Sequence, residues 1–116
     1  VTLVLCQGAA VKEIFRSGRK LGGRGRSPLM FEWYGEKYWG AAHGLAGIMH
    51  ILLHFELKAD EREEVKETLN YMIKNRFPNG NYPAREEDKR RDVLVHWCQG
   101  APGIALTLVK AAEVSS

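Results

Sequence analysis

The chain has 116 residues, 45% apolar and 27% charged with a net charge of +3, the composition of one soluble globular domain. That balance excludes an extended disordered chain, and cations dispersed among acidic neighbours give no ground for a nucleic-acid partner. No apolar run reaches the ~18 residues of a membrane span, and two cysteines, Cys6 and Cys98, are too few for a secreted disulfide framework. A reducing, cytoplasmic setting is expected.

The opening Val1-Thr2-Leu3-Val4-Leu5 has no basic residue before it and no initiator Met. It does not read as a signal peptide, and the chain reads as the middle of a longer one. Ala10, Val11, Ile14, Phe15 and Leu21, with Lys12, Glu13, Arg16 and Arg19 between them, predict an amphipathic helix over 9–21. Gly22-Gly23-Arg24-Gly25-Arg26 ends it in a solvent-exposed loop. Arg16, Arg19, Lys20, Arg24 and Arg26 could gather phosphates. A solvated helix end is preferred, because cations are ordinarily favourable there and no aromatic residues interleave them.

Leu29-Met30-Phe31-Glu32-Trp33-Tyr34 fits either a strand or a segment packed under a loop. From Gly44 to about Leu57, Leu45, Ile48, Met49, Ile51, Leu52 and Phe55 surround most of a helix, which predicts an inner position. Asp60 is the expected N-cap, with Glu63 at the third helical position, of a helix bearing Val65, Leu69, Met72, Ile73 and Phe77 on one face. That helix is an outer one. Pro78-Asn79-Gly80-Asn81 predicts a turn, and Arg85 to Asp92, with Lys89-Arg90-Arg91 as its basic core, a solvated loop. Pro102 suits the first turn of a last apolar helix carrying Ile104, Leu106, Leu108 and Val109.

The chain repeats itself. His43-Gly44-Leu45-Ala46-Gly47-Ile48 returns as Gln99-Gly100-Ala101-Pro102-Gly103-Ile104 at an offset of 56, and Val11-Lys12-Glu13 and Lys20 return as Val65-Lys66-Glu67 and Lys74 at 54. Two matches at nearly one period describe tandem units, each pairing an outer helix with an inner one. Each G-x-x-G-I turn opens an apolar helix, so His43 and Cys98 stand at equivalent entrances. A thiol at a helix mouth is favoured as thiolate, and an imidazole is the ordinary general base near neutrality. A buried inert thiol and a structural histidine are the competing readings. His43, His50 and His54 share a helical face, but no further metal ligand is near them, and one Cys with one His is not a zinc site.

At Tyr38-Trp39-Gly40-Ala41-Ala42-His43-Gly44-Leu45-Ala46-Gly47 and Leu94-Val95-His96-Trp97-Cys98-Gln99-Gly100-Ala101-Pro102-Gly103 the chain resembles the eukaryotic lanthionine synthetase C-like (LanC-like) family. Residues 27–34 and 75–83 resemble it too, with a flavour nearest the plant members. The resemblance implies an all-α fold, an α/α toroid of six helical hairpins, of which residues 1–116 would be a partial domain of about two hairpin repeats. It implies zinc held by Cys98 of the W-C-x-G motif and by a Cys-His pair of a later C-H-G motif that this chain lacks. It also implies that His43 is the acid or base, with Trp97, Gln99, Gly44 and Gly100 near the site. Gln99 stands where the family usually has Tyr or His.

The activity so implied is zinc-assisted addition of a thiol, from glutathione or a peptide cysteine, to a dehydroamino acid in a peptide substrate. Zinc would keep the sulfur deprotonated and near the alkene. In this fragment neither step is expected to run, since one ligand does not hold the metal. The competing reading is a non-catalytic adaptor that binds glutathione or a signalling protein, peripheral at the plasma membrane, in keeping with the hormone-receptor role once proposed for plant members.

Overall fold

A computed structural model describes the backbone of residues 2–23, 27–87 and 95–115, with side chains described between residues 8 and 114 of these. The described residues form four helices, α1 (Thr2–Gly22), α2 (Leu45–Leu52), α3 (Ala59–Lys74) and α4 (Ala101–Ser115). The described residues form no strand, only two isolated bridges, Trp33 with Glu36 and Tyr38 with Arg85. The fold is all-α, as expected.

The repeat explains the layers. Val11 and Phe15 of α1 are buried, and so are Val65 and Leu69, which stand 54 positions later on α3. The charged faces of these helices are joined by Arg19, whose guanidinium donates to both carboxylate oxygens of Glu64. The more apolar α2 and α4 pack side by side, and the Thr107 hydroxyl of α4 donates to the Ala46 carbonyl of α2 at 3.0 Å. A thinnest dimension of 21 Å is that of two helix diameters, each about 10–12 Å. Between the layers lie Phe15, Leu29, Trp39, Leu45, Met49, Leu52, Val65, Met72 and Ile104, all fully or almost fully buried. Each large apolar side chain so buried contributes about 1.5–3 kcal/mol.

Several boundaries differ from those the pattern predicts. Helix α1 begins at Thr2, well before residue 9. Helix α2 stops at Leu52 rather than near Leu57: the His54 and Phe55 N–H groups bond to the carbonyls of Ile51 and Leu52, tightening the last turn. Phe55 and Leu57 still pack on the core, so the apolar run outlasts the helix. The N-cap of α3 is Lys58, not Asp60, and the third position is Glu61, not Glu63. Glu61 accepts the Lys58 N–H at 2.9 Å, but lysine has no acceptor to complete the box.

Helix α3 ends at Lys74, leaving Phe77 beyond it. The aromatic stretch before Gly35 closes a tight turn: Trp33 and Glu36 exchange backbone bonds of 2.9 and 3.1 Å, and Tyr34 and Gly35 take φ of 51° and 77°. Two successive positive φ values make the type I′ turn of a two-residue hairpin. Arg24, Arg26 and Lys89-Arg90-Arg91 lie outside the described residues.

Candidate functional site

The site is built around the two glycine turns. Ahead of α2, residues 37–39 run beside 84–86, with the Trp39 N–H on the Ala84 carbonyl at 2.9 Å and the Glu86 N–H on that of Lys37 at 2.8 Å. The carbonyls of Tyr38, Trp39 and Gly40 then accept the N–H groups of Leu45, Ala46 and Gly47 at 2.9, 3.0 and 3.3 Å. Those are donors a helix start leaves unpaired, so α2 opens without a side-chain cap. Trp39 anchors the segment: its indole is buried and its N–H donates to Glu86 at 3.3 Å, while the Tyr71 hydroxyl of α3 donates to the other Glu86 oxygen.

Helix α4 opens one residue after Gly100, as α2 does after Gly44. Its first N–H, from Ala101, is capped at 2.9 Å by the Asn81 side-chain oxygen from 20 residues upstream. The second glycine of each motif meets the same constraint. A Cβ on Gly47 would overlap the Ala41 carbonyl, and one on Gly103 the Trp97 carbonyl, each six residues upstream.

The entrances touch. The Cys98 carbonyl accepts the Ala42 N–H at 3.4 Å and lies where a Cβ on Gly40 would stand. The structure therefore brings together the backbones that carry His43 and Cys98. The Cys98 thiol is free and exposed, Trp97 beside it is 58% exposed, Gln99 is half-buried, and Gly44 and Gly100 are buried in the turns. His43 is exposed and lies before α2, stacked on Trp33 with ring centroids 4.3 Å apart and planes 12° from parallel. Tyr38 presents its ring to the same imidazole at 6.1 Å.

His96 is exposed at the second entrance, its backbone N–H on the Gln99 carbonyl at 2.9 Å, whereas His50 and His54 belong elsewhere. His50 Nδ1 lies 3.5 Å from the Thr107 hydroxyl, and His54, beyond the end of α2, sets its Nδ1 2.9 Å from the His50 carbonyl. The shared helical face expected of His43, His50 and His54 is thus not formed, because His43 precedes the helix. Trp33 and Tyr38 are the site residues that sequence reasoning passed over; their signal was aromatic density within ten residues of His43.

Among the described residues no three His, Cys, Asp or Glu side chains are grouped to hold a metal. Zinc ordinarily takes three or four protein ligands, and the donors here do not by themselves fit it. A groove of about 1070 Å³ lies between α3, α4 and the 53–57 connection, at the opposite end of α2 from His43. Leu53, Leu57, Leu69, Ile73, Leu108 and Val114 line it, without a thiol or an imidazole. No helix of the described residues is long and apolar enough to cross a membrane.

Two layers of repeated helices whose inner members open on glycine turns, one bearing an imidazole and the next a thiol, define an α-helical repeat domain with its reactive groups at the helix entrances. The family model for the lanthionine synthetase C-like protein matches residues 8–116, and the chain belongs to that family. It is 52% identical over 88 residues to LanC-like protein GCL1 of Arabidopsis thaliana, a match covering 75% of this chain and 20% of the relative. It is 44% identical over 108 residues to glutathione S-transferase LANCL1 of Danio rerio, covering 87% of this chain and 26% of that relative. The chain thus spans a fifth to a quarter of the length of these relatives.

Proposed function

We propose that this chain is the part of a glutathione-adding LanC-like enzyme that carries its proton-transfer histidine, His43. The observation that supports the reading is the 44% identity to a glutathione S-transferase over 87% of the chain. In the proposed reaction the glutathione sulfur, as thiolate, bonds to the β-carbon of a dehydroamino acid residue in a peptide. The alkene π pair moves onto the α-carbon side as an enolate, and a proton from the His43 imidazolium closes the new C–H bond. The sum is addition of S–H across one C=C bond, with glutathione as the only co-reactant.

Cys98 enters the proposal as one thiolate offered to zinc, the remaining ligands lying outside this chain. Elemental analysis of the longer protein tests this apart from turnover: stoichiometric zinc that disappears in Cys98→Ala is the expected result. For the reaction, the longer protein is incubated with glutathione and a dehydroalanine peptide, and the adduct is followed by mass spectrometry. Replacing His43 by Ala is expected to slow adduct formation by about 10²–10⁴-fold. Adduct formation at an unchanged rate in His43→Ala overturns the catalytic reading and leaves the adaptor reading, in which glutathione binds without turnover.

A further inference from the structure

Among the described residues no group hydrogen-bonds the His43 ring, and its neighbours are aromatic. An acid–base histidine is ordinarily oriented by a hydrogen bond from a third group. Here the ring lies against the Trp33 indole, 12° from parallel at 4.3 Å. The indole is itself held. Trp33 is tied to Glu36 by both backbone bonds of the I′ turn, Tyr34 packs edge-on to it at 4.7 Å, and Tyr38 lies 5.9 Å away. A stack of this kind restrains the tilt of the imidazole while leaving its two nitrogens, which lie in the ring plane, uncovered.

We infer that Trp33 is the positioning residue for His43: the stacked indole fixes the plane of the imidazole so that a ring nitrogen is presented edge-on for proton transfer. This inference rests on the proposed proton-transfer role of His43. Trp33 touches neither reacting atom, and its effect runs through the ring it holds. A side chain 46% exposed is removable without opening the core, so the substitution reports on the site rather than on folding.

The test compares Trp33→Leu, Trp33→Phe and His43→Ala in the longer protein, with glutathione and the dehydroalanine peptide as substrates. Trp33→Leu is expected to lower kcat by about 10- to 100-fold and to leave KM for glutathione within about twofold, the mark of lost orientation rather than lost binding. Trp33→Phe, which keeps a stackable ring, recovers most of that loss. In protein labelled at histidine Cε1, the His43 ring proton is expected to be shifted by the indole ring current and to show a nuclear Overhauser contact to Trp33. Both signatures are absent in Trp33→Leu. Absence of that contact in the unsubstituted protein overturns the inference whatever the variants do. Full kcat in Trp33→Leu with an inactive His43→Ala overturns the positioning role alone, whereas an active His43→Ala removes the catalytic reading and the inference together.

Discussion

The two inner helices start one residue after the same glycine of the same motif, yet the two entrances use that glycine differently. At α2, Gly44 has an ordinary extended φ of −134° and is there for space: a Cβ would collide with the Tyr38 backbone. At α4, Gly100 takes φ of +109°, a conformation L side chains rarely adopt. The first turn of α2 is satisfied by three backbone carbonyls, while α4 relies on the side chain of Asn81. A repeated motif therefore fixes where a helix begins, and the neighbouring chain decides which property of glycine is needed.

The second glycine is where the entrances agree, and substitutions there have the largest expected effect. Alanine at Gly47 or at Gly103 puts a methyl group into a backbone carbonyl, and at Gly103 also within 2.8 Å of the Ala41 Cβ. Backbone cannot rotate aside as a side chain does, so each change is expected to cost about 3 kcal/mol, the upper end for overpacking. Of a domain stability of about 5–15 kcal/mol that is a large share. Equilibrium urea unfolding of each variant measures it. A loss below about 1 kcal/mol at either site would mean that the two turns are not held by the same constraint.

Asn81→Ala sharpens the difference between the entrances. Removing an N-cap costs about 1 kcal/mol, and the Asn81 side chain caps α4. Amide exchange at Ala101 should quicken severalfold, while Leu45, Ala46 and Gly47, held by carbonyls 38–40, keep their protection. Equal quickening at both helices would show that they open as one unit, and the distinction between side-chain and backbone capping would then carry no local energy.

The contrast also shows what the amino-acid order reveals. Layering was legible because Val11 and Val65, and the two G-x-x-G-I turns, recur at nearly one period, as tandem helical units do, and Val11 and Val65 are both buried. The end of α2 was not, since apolar character continues through Phe55 and Leu57 after hydrogen bonding has changed to a tighter turn. The cap of α3 was misplaced because residue type favours Asp60, whereas the chain enters extended at Lys58 and Glu61 answers its N–H. At the site, glycine spacing placed His43 and Cys98 at paired entrances. It could not place Trp33 over His43, which depends on a hairpin whose turn carries Tyr34 rather than the usual Asn or Asp at a positive φ. Nor could it connect Asn81 to Ala101 across 20 residues, since a cap supplied from a distant loop has no local spacing.

The smallest expected effect is silent at neutral pH and again separates the two entrances. Tyr82, next to the capping Asn81, is 8% exposed, and burial raises its phenol above the ordinary value, with the positive charge of Arg76 opposing in part. An unfolded phenol ionises near pH 10. Because the folded value is the higher one, the stability this group contributes is complete below about pH 10 and is lost as pH rises through the folded value. The slope from a single proton is at most about 1.4 kcal/mol per pH unit. Tyr82→Phe should flatten that alkaline decline and leave stability at pH 7 nearly unchanged, measured by urea midpoints across the alkaline range. Since Tyr82 directly follows Asn81, the cap of α4, Ala101 should lose amide protection at lower pH than Leu45. Simultaneous loss would place the alkaline transition in the shared core rather than at the α4 entrance.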